Sequence, residues 1–423
     1  MPTPPALRVS LALALVSVVG LIFLFSTGSL GADRAEAKAP VVDARSWVLV
    51  DASDGEVLTG SRRNLRLPMA STTKLMTAYL AMRRLPLERR VIAPAYPADP
   101  VESLMGLKAG QRVSVRDLLY GLILLSGNDA AVALANAVSG STEAFVGLMN
   151  RTAMRLGLRN TSFTNPIGLD SPDHYSSASD LAKLARLLRR IPYFRKISAS
   201  READLTSYRP PRRIVTVNDF LFEGPWATGV KTGRTLGAGY VLVSSATRGG
   251  ASLIGTVIGA PTEESRDAET VRLMKYGFSL FSRRPVTARG EVIASVPLRY
   301  GGGELDLVAA RESAVALRKG QVLRTVVRVG TDEAGGPLRR GKQLGSLLVE
   351  VDGQRRAPVP LLAAKGIPAP TIIDRLQDFF GGDRLYLAIL AGLIIFISGV
   401  ALVFRIRSKR VRKSVKEIGR RTR

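Results

Sequence analysis

Residues 66–77 read RLPMASTTKLMT, which places Ser71 three positions before Lys74 where a helix is expected to begin. Side chains three positions apart lie on one face of a helix, so the lysine amine is expected beside the serine hydroxyl. The serine backbone N–H at a helix start is free to bind an oxyanion. Such a lysine acts as a base only when burial or nearby cations lower its pKa. On its own the pattern is weak, because a helix-capping serine followed by a solvated lysine is the commoner arrangement.

The composition limits how a hydrolase of this kind activates its nucleophile. The 423 residues include no cysteine and one histidine, His174. These counts exclude a thiolate nucleophile, a disulfide framework and a histidine-rich zinc site. A Ser-His-Asp triad would have to use His174, which we interpret as a structural residue. We expect no metal ion and no cofactor.

The formal net charge is strongly positive, at +26. Ten lysines and arginines lie between Arg405 and Arg423 against one acidic residue, and the other basic residues are spread along the chain. The basic residues are not interleaved with aromatic ones as in proteins that bind single strands, so we expect no nucleic-acid partner. Solubility beside an anionic phospholipid leaflet or wall polymer is the simpler explanation of the charge.

The N-terminal end has the pattern of an export signal. No charged residue lies in Val9–Ala32, and its apolar core Leu11–Phe25 has signal-peptide length. Ala35-Glu36-Ala37 fits a cleavage site, so we predict a signal peptide over residues 1–37. An uncleaved anchor is the alternative, since the uncharged run is long enough to span a membrane. Either reading predicts that the rest of the chain is exported.

The C-terminal end predicts a membrane anchor. Leu385–Phe404 is an uncharged run of twenty residues, which matches the hydrocarbon thickness, and the basic tail 405–423 indicates the cytoplasmic side. The linker 367–384 contains a helix expected to lie at the membrane interface. The apolar side of that helix carries Ile372, Leu376, Phe379 and Phe380.

Residues 38–283 have the mixed pattern of an α+β domain. Two strands flank the turn Asp54-Gly55, and two later apolar strands, Gly239–Ala246 and Ser252–Ile258, flank a T-R-G-G turn that predicts a hairpin. Helices between early and late strands predict an antiparallel sheet covered by helices. Helices are expected after Ser71, along 115–135 with the apolar part Leu118–Leu125, and at Thr142–Leu156, Ser179–Arg190 and Glu264–Phe281.

Residues 284–366 have a different texture, in which glycine, valine and arginine alternate. Short strands at close spacing, with a turn at Asp352-Gly353, predict a small all-β domain. This domain contains no convincing catalytic cluster, so a spacer or interaction role is expected.

The segment Ser126–Asn128 reads S-G-N where an apolar helix ends. One interpretation is a turn whose side chains satisfy backbone groups. The functional interpretation is that Ser126 relays a proton beside Lys74 while Asn128 hydrogen-bonds the substrate.

The segment Lys231–Gly233 reads K-T-G at the entry to a strand. An edge strand there would pair with an extended peptide, with Lys231 and Thr232 facing a substrate carboxylate. Gly233 would allow close backbone approach. Each segment alone is weak, but S-T-T-K, S-G-N and K-T-G occur in the order of one known set, S-x-x-K, S-D-N and K-T-G.

With these motifs the chain resembles the low-molecular-mass penicillin-binding proteins, which are serine-type D-alanyl-D-alanine carboxypeptidases. The likeness covers most of residues 41–365. The resemblance implies a β-lactamase-like catalytic fold and removal of the terminal D-alanine from peptidoglycan stem peptides at the bacterial cell membrane. It also implies inhibition by β-lactams. The matching segments are LPMASTTKLMT, LLSGNDAAVALA, FTNPIGLD, GVKTGRT and, in the β-rich part, GKQLGSLLVEVDGQ.

The resemblance implies roles for individual residues. Ser71 is the nucleophile, Lys74 is the base that takes its proton, and Ser126 relays protons toward the leaving amine. The backbone N–H of Arg234 completes the oxyanion hole with that of Ser71, whereas the arginine side chain has no interpretation from sequence. The substrate-binding residues implied in this way are Asn128, Lys231, Thr232, Gly233 and Arg234.

Three alternatives remain at the level of sequence. A β-lactamase with these motifs uses a separate glutamate for deacylation, and none lies between Leu158 and Asp180. Endopeptidase or transpeptidase action on cross-links uses the same groups. A non-catalytic wall-binding protein would need neither S-T-T-K nor K-T-G.

Overall fold

The computed structural model describes residues 38–208, 210–300, 302–380 and 382–421. The predicted signal peptide over residues 1–37 lies outside this part of the chain and stays a prediction. The strands are β1 Ser46–Asp51, β2 Val57–Ser61, β3 Arg90–Ile92, β4 Arg112–Ser114, β5 Glu202–Leu205, β6 Arg212–Val215, β7 Ala227–Thr235, β8 Gly239–Arg248, β9 Ala251–Ala260, β10 Phe281–Thr287, β11 Val292–Pro297, β12 Glu304–Ala309, β13 Ser313–Arg318, β14 Leu323–Val329, β15 Gln343–Val351, β16 Gln354–Arg355 and β17 Val359–Ala363. The α-helices are α1 Lys74–Arg84, α2 Val115–Leu124, α3 Asn128–Ser139, α4 Thr142–Arg155, α5 Ala178–Arg189, α6 Pro192–Ser198, α7 Glu263–Ser279, α8 Ile372–Phe380 and α9 Gly382–Arg421.

Internal contacts divide the described residues into two compact units. The first contains residues 38–285 together with Ala314–Leu323, and the second contains Val286–Ser313 and residues 324–421. Within the first unit, Arg318 Nε donates to Asp51 Oδ2 at 3.0 Å and the same guanidinium pairs with Asp54, so the returning segment is fixed to the β1–β2 turn. The predicted boundary between residues 283 and 284 stays a prediction.

An antiparallel sheet in the order β2-β1-β9-β8-β7 forms the middle of the first unit. Side chains alternate between the two faces of a strand. Val48 and Val50 of β1 therefore pack into the larger core, with helices α1 to α5, whereas Trp47 and Leu49 pack with α7 on the opposite face. Because both faces are covered, the middle of β1, Trp47–Val50, is apolar at every position. The predicted α+β fold with helices on an antiparallel sheet is confirmed, and β7 forms one edge.

The segment predicted as helical over 115–135 is two helices rather than one. Helix α2 ends at Leu124 and α3 begins at Asn128. Between them Ser126 has a φ of +60°, which a continuing right-handed helix does not allow. The break places the S-G-N segment at the start of α3, where Ser126 and Asn128 are buried.

The second unit contains an antiparallel sheet in the order β11-β12-β17-β15-β14, with β16 paired to β15. The turn between β15 and β16 has Asp352 at a φ of 47° and Gly353 at 74°, as an Asp-Gly hairpin turn requires. The predicted all-β domain is confirmed.

Two helices follow the second sheet. Helix α8 exposes Ile372 and Phe379, as the predicted interfacial helix requires. Among the described residues, α9 is the only single helix that is long and apolar enough to cross a membrane. The part of α9 that meets this condition is Ala388–Arg410. The predicted span Leu385–Phe404 lies inside α9.

Candidate active site

Ser71 and Lys74 lie together at the start of α1. A short 3-10 helix, Ala70–Thr73, precedes α1, and Lys74 is the first residue of the α-helix. Lys74 Nζ donates to Ser71 Oγ at 2.9 Å and to the carbonyl oxygen of Ile167 at 2.7 Å. Lys74 is fully buried whereas Ser71 is partly exposed. Ser71 is therefore within reach of solvent, and the amine contacts its hydroxyl from the buried side.

The carbonyl that receives Lys74 belongs to a tight loop in the F-T-N-P-I-G-L-D segment. Asn165 Oδ1 accepts the backbone N–H groups of Ile167, Gly168 and Leu169 at 3.2, 2.6 and 3.2 Å. This clamp holds the Ile167 carbonyl toward the lysine. The acceptor is neutral, so it satisfies the amine without stabilising its positive charge as a carboxylate would.

The surroundings of Lys74 favour its neutral form. Burial lowers the pKa of Lys74 well below 10.5, and the nearby charge of Lys231 lowers it further, while Glu102 and Asp129 act in the opposite direction. A neutral amine hydrogen-bonded to a hydroxyl is the arrangement of a base that activates a nucleophile.

The backbone around Ser71 is held by two close glycines. Ala70 has a φ of +48°. A Cβ on Gly168 would lie 2.1 Å from the Ala70 carbonyl oxygen, and a Cβ on Gly233 would lie 2.9 Å from the Ser71 nitrogen. The K-T-G strand therefore passes directly beside the backbone N–H of the serine, where any side chain at position 233 would intrude.

The K-T-G segment lies on β7, at the edge of the sheet. Lys231 is buried, and its Nζ donates to the Thr232 carbonyl oxygen at 2.8 Å. Burial lowers the pKa of Lys231 to about 7, and the charge of Arg266 contributes. A cation that has given up most of its hydration is well suited to receive an anionic group of a ligand.

The S-G-N segment occupies the break between α2 and α3. Ser126 is buried, and among the described residues its hydroxyl makes no direct hydrogen bond to Lys74. Asn128 is also buried and its Nδ2 donates to Glu102 Oε2 at 2.5 Å. Gly233 of K-T-G lies against the Ser71 nitrogen, and Glu102, which accepts from Asn128 of S-G-N, acts electrostatically on Lys74, so groups from the three motifs lie near one another.

Residues 33–262 match the family described as D-alanyl-D-alanine carboxypeptidase. Residues 281–369 match the family described as penicillin-binding protein 5, C-terminal domain. The chain belongs to the D-alanyl-D-alanine carboxypeptidase family. It is therefore a serine peptidase.

Individual relatives support this assignment. This carboxypeptidase-family chain is 34% identical to the D-alanyl-D-alanine carboxypeptidase DacC of Escherichia coli K12 over 386 residues, which cover 88% of this chain and 95% of the relative. Its structure is similar to that of penicillin-binding protein 5 from Haemophilus influenzae, with a TM-score of 0.55 and 31% identity. The match covers 78% of this chain and 99% of the other. It is also similar to the structure of a mutant of the Streptomyces K15 DD-transpeptidase, with a TM-score of 0.54 and 33% identity. That match covers 57% of this chain and 100% of the other.

The structure shows where the Arg234 side chain of this carboxypeptidase lies. It is exposed on β7, and its guanidinium lies 5.0 Å from the centre of the Tyr240 ring on β8. This cation–π contact holds the side chain against the neighbouring strand of the sheet. Beyond it, Asp170 accepts from the Thr235 hydroxyl at 2.7 Å and from the Gly237 N–H at 2.9 Å, which ties the strand end to the loop that holds Lys74.

His174 is bonded to the S-T-T-K segment. The Thr164 N–H donates to His174 Nδ1 at 3.0 Å, so Nε2 carries the proton and donates to Thr73 Oγ1 at 2.7 Å. The Thr73 hydroxyl in turn donates to the Ala70 carbonyl at 2.9 Å. The histidine interpreted as structural thus holds the backbone residue just before Ser71, and it does not contact the nucleophile itself.

Sequence analysis missed two charged residues of this carboxypeptidase site. Arg266 on α7 is almost fully buried beside Lys231 and pairs with Asp267 at 2.7 Å and Glu263 at 3.0 Å. The sequence feature that marks Arg266 is the presence of acidic residues on both sides of it, in E-E-S-R-D. Glu102 lies in the irregular loop between β3 and β4, where no periodic pattern marks it.

Proposed function

We propose that this protein is a membrane-anchored D-alanyl-D-alanine carboxypeptidase that removes the terminal D-alanine from peptidoglycan stem peptides through an acyl-enzyme on Ser71. The observation that carries the proposal is the hydrogen bond from the buried Lys74 amine to the Ser71 hydroxyl at 2.9 Å. It joins a base of lowered pKa to the hydroxyl of a partly exposed serine.

Acylation begins when Ser71 Oγ attacks the carbonyl carbon between the last two D-alanines, and Lys74 Nζ takes the hydroxyl proton. The negative oxygen of the tetrahedral intermediate accepts from the backbone N–H groups of Ser71 and Arg234. The close approach of Gly233 to the Ser71 nitrogen supports this pairing of two N–H groups.

Collapse of the intermediate breaks the carbon–nitrogen bond. The leaving amine takes a proton from Lys74 through Ser126, and D-alanine departs. Water then attacks the ester carbonyl while the base takes one of its protons. Collapse of the second intermediate breaks the bond to Ser71 Oγ, which takes that proton back from the base as the shortened peptide leaves. The position of Ser126 between α2 and α3, beside Asn128, supports its role as the relay.

The substrate is held by the edge of the sheet. An extended peptide adds to β7 by backbone pairing. Its terminal carboxylate is received by Lys231 and the Thr232 hydroxyl, and Asn128 hydrogen-bonds the peptide on the opposite side. The edge position of β7 and the buried cation of Lys231 support this arrangement.

Mass spectrometry of a peptide ending in D-Ala-D-Ala tests the proposal. With the full-length chain in detergent we expect loss of one alanine, and with Ser71→Ala we expect none. A peptide that stays unchanged with the unmodified chain contradicts the proposal. A labelled penicillin is expected to form an adduct on Ser71 that persists, whereas rapid release of hydrolysed penicillin would indicate a β-lactamase.

Transpeptidation is a second candidate activity, favoured by the similarity to the Streptomyces K15 DD-transpeptidase. In that reaction an amine attacks the ester in place of water. Adding a D-amino acid to the same assay separates the two, since a transpeptidase produces an exchanged peptide of different mass.

The proposed topology places the catalytic body outside the cytoplasm of a bacterial cell. Helix α9 provides the span, and the arginines and lysines that follow Phe404 favour a cytoplasmic C-terminus. We further propose residues 38–283 as the catalytic domain and 284–366 as a β-rich spacer. Protease added outside intact spheroplasts is expected to remove the body and spare the tail.

A further inference from the structure

Glu102 reaches the catalytic centre from a loop that carries none of the three motifs. Its Oε2 accepts from Asn128 Nδ2 at 2.5 Å and from the Tyr96 hydroxyl, and its Oε1 accepts from the Asp99 N–H at 3.3 Å. The carboxylate thus touches a residue of the S-G-N motif directly.

The loop is held in place by the start of α3. Asp129 accepts three backbone N–H groups of the loop, at 2.8, 2.7 and 2.8 Å, and the Asn128 N–H donates to the Ser103 carbonyl at 2.8 Å. The contact between Glu102 and Asn128 is therefore built into the fold. The three donors to Asp129 belong to Met105, Gly106 and Leu107.

The carboxylate fixes the orientation of the Asn128 amide. An ionised carboxylate only accepts hydrogen bonds, so the NH₂ group of Asn128 must face Glu102 and the carbonyl Oδ1 must face away. Among the described residues no protein group donates to that Oδ1. That oxygen is therefore presented as an acceptor on the side away from Glu102, and the second N–H of the amide stays available as a donor.

The charge of Glu102 also acts on the base. Burial opposes the charge of Glu102, yet hydrogen bonds from Tyr96 and Asn128 hold its pKa below the ordinary value. The charged groups that act on Lys74 are Lys231 on β7, which lowers its pKa, and Glu102 on the loop and Asp129 on α3, which raise it.

We propose that Glu102 is a positioning residue of this active site, which sets the atom of the Asn128 amide that faces the substrate and balances the charge of Lys231 at Lys74. The inference rests on the proposed role of Lys74 as the base. Glu102 acts through these two residues and needs no contact with the reacting atoms.

The test is the rate of acylation by a fluorescent penicillin as a function of pH, with the full-length chain in detergent. In Glu102→Gln the amide orientation is no longer enforced, and we expect the rate at the pH optimum to fall about 10-fold, the effect of losing one charge-assisted hydrogen bond. Because the negative charge near Lys74 is also lost, the acid limb of the profile is expected to move to lower pH. A purely structural role would lower the rate without that shift.

Two matched variants separate charge from geometry. Tyr96→Phe removes the other hydrogen bond to the same oxygen and keeps the charge, so its acid limb is expected to stay in place. Glu102→Asp also keeps the charge but shortens the reach to Asn128, so it is expected to lower the rate with the limb unmoved.

An acid limb that stays fixed in Glu102→Gln, or that moves equally in Tyr96→Phe, overturns the inference while leaving the proposed function intact. If Glu102→Gln does not fold, a limb that moves in Glu102→Asp overturns it in the same way. A wild-type chain that penicillin does not acylate at all overturns both proposals.

Discussion

The two buried lysines of the active site differ in what surrounds them. Lys74 lies at the start of a helix, and its amine donates to a hydroxyl and a carbonyl. Lys231 lies on an edge strand, and its amine donates to the carbonyl of the next residue. Carboxylates influence Lys74 from a distance, whereas the charge that lowers the pKa of Lys231 is the cation of Arg266.

This difference separates two kinds of chemistry. A lysine without a bonded carboxylate loses its proton easily when buried, and both residues meet that condition. The Lys74 amine already lies beside the Ser71 hydroxyl before a ligand binds. The lone pair of the neutral amine is therefore able to accept the hydroxyl proton. Among the described residues Lys231 makes no ion pair, and in the mechanism proposed here the substrate carboxylate restores its proton.

The largest expected effect comes from replacing Lys74. Lys74→Met removes the base, and we expect the acylation rate to fall roughly 1,000-fold, within the usual range for general-base catalysis. Lys74→Arg keeps a cation that does not lose its proton, so it is expected to be equally impaired. Stopped-flow measurement with a fluorescent penicillin provides the rates. Substantial activity in the arginine variant would remove the distinction between the two lysines.

Lys231 is expected to show the opposite pattern. Lys231→Met loses one charge-assisted contact with the substrate carboxylate, so KM for a D-Ala-D-Ala peptide is expected to rise roughly 10- to 100-fold. Lys231→Arg keeps the charge and is expected to retain most activity. In the unmodified enzyme kcat/KM should fall as the pH rises above about 7, where free Lys231 loses its proton. The arginine variant is expected to lack that fall.

The contact between the two lysine segments predicts a smaller effect. Gly233→Ala places a Cβ 2.9 Å from the Ser71 nitrogen, so the strand and the serine must move apart. We expect acylation to slow about 10-fold, since misplacement of reacting groups by a fraction of an ångström is costly. Gly335→Ala is the control, because nothing lies within 4 Å of the added carbon. Equal rates for the two variants would show that the segments are not in close contact.

The last effect is on stability rather than on rate, and it concerns the histidine behind the Lys74 segment. Burial lowers the pKa of His174 to about 4, while Asp170 acts in the opposite direction. Between about pH 6.5 and pH 4 the unfolded chain binds a proton at this residue and the folded chain does not, so acidification destabilises the fold by about 3 kcal/mol. Thermal unfolding across this range should show a steeper loss in the unmodified chain than in His174→Gln. Parallel curves would assign the acid sensitivity to other groups.

The sequence predicted the elements that follow a short-range rule. The two-strand hairpin with Gly249 and Gly250 at its turn follows from local turn chemistry, and it is present as β8 and β9. The pairing of Ser71 with Lys74 follows from helix geometry alone. Local patterns of this kind need no knowledge of the tertiary fold.

Other features depend on atoms that carry no residue identity. The partner of Lys74 is the backbone carbonyl of Ile167, and every residue has such a carbonyl. Glu102 lies in a loop whose path is set by backbone groups bonded to Asp129. The return of Ala314–Leu323 to the first unit depends on a different kind of contact, the side-chain pair of Arg318 with Asp51, whose members are far apart in the sequence. Sequence spacing contains no signal for contacts of this type.

The left-handed backbone of Ser126 restricts which amino acids natural variation is able to place there. Threonine offers the same hydroxyl, but its branched Cβ strongly disfavours a φ of +60°. Asparagine and glycine tolerate the conformation and lack the hydroxyl. For the proton relay proposed here, conformation and chemistry therefore leave serine with no conservative substitute, and an inherited change at this position is far more prone to end activity than to adjust it.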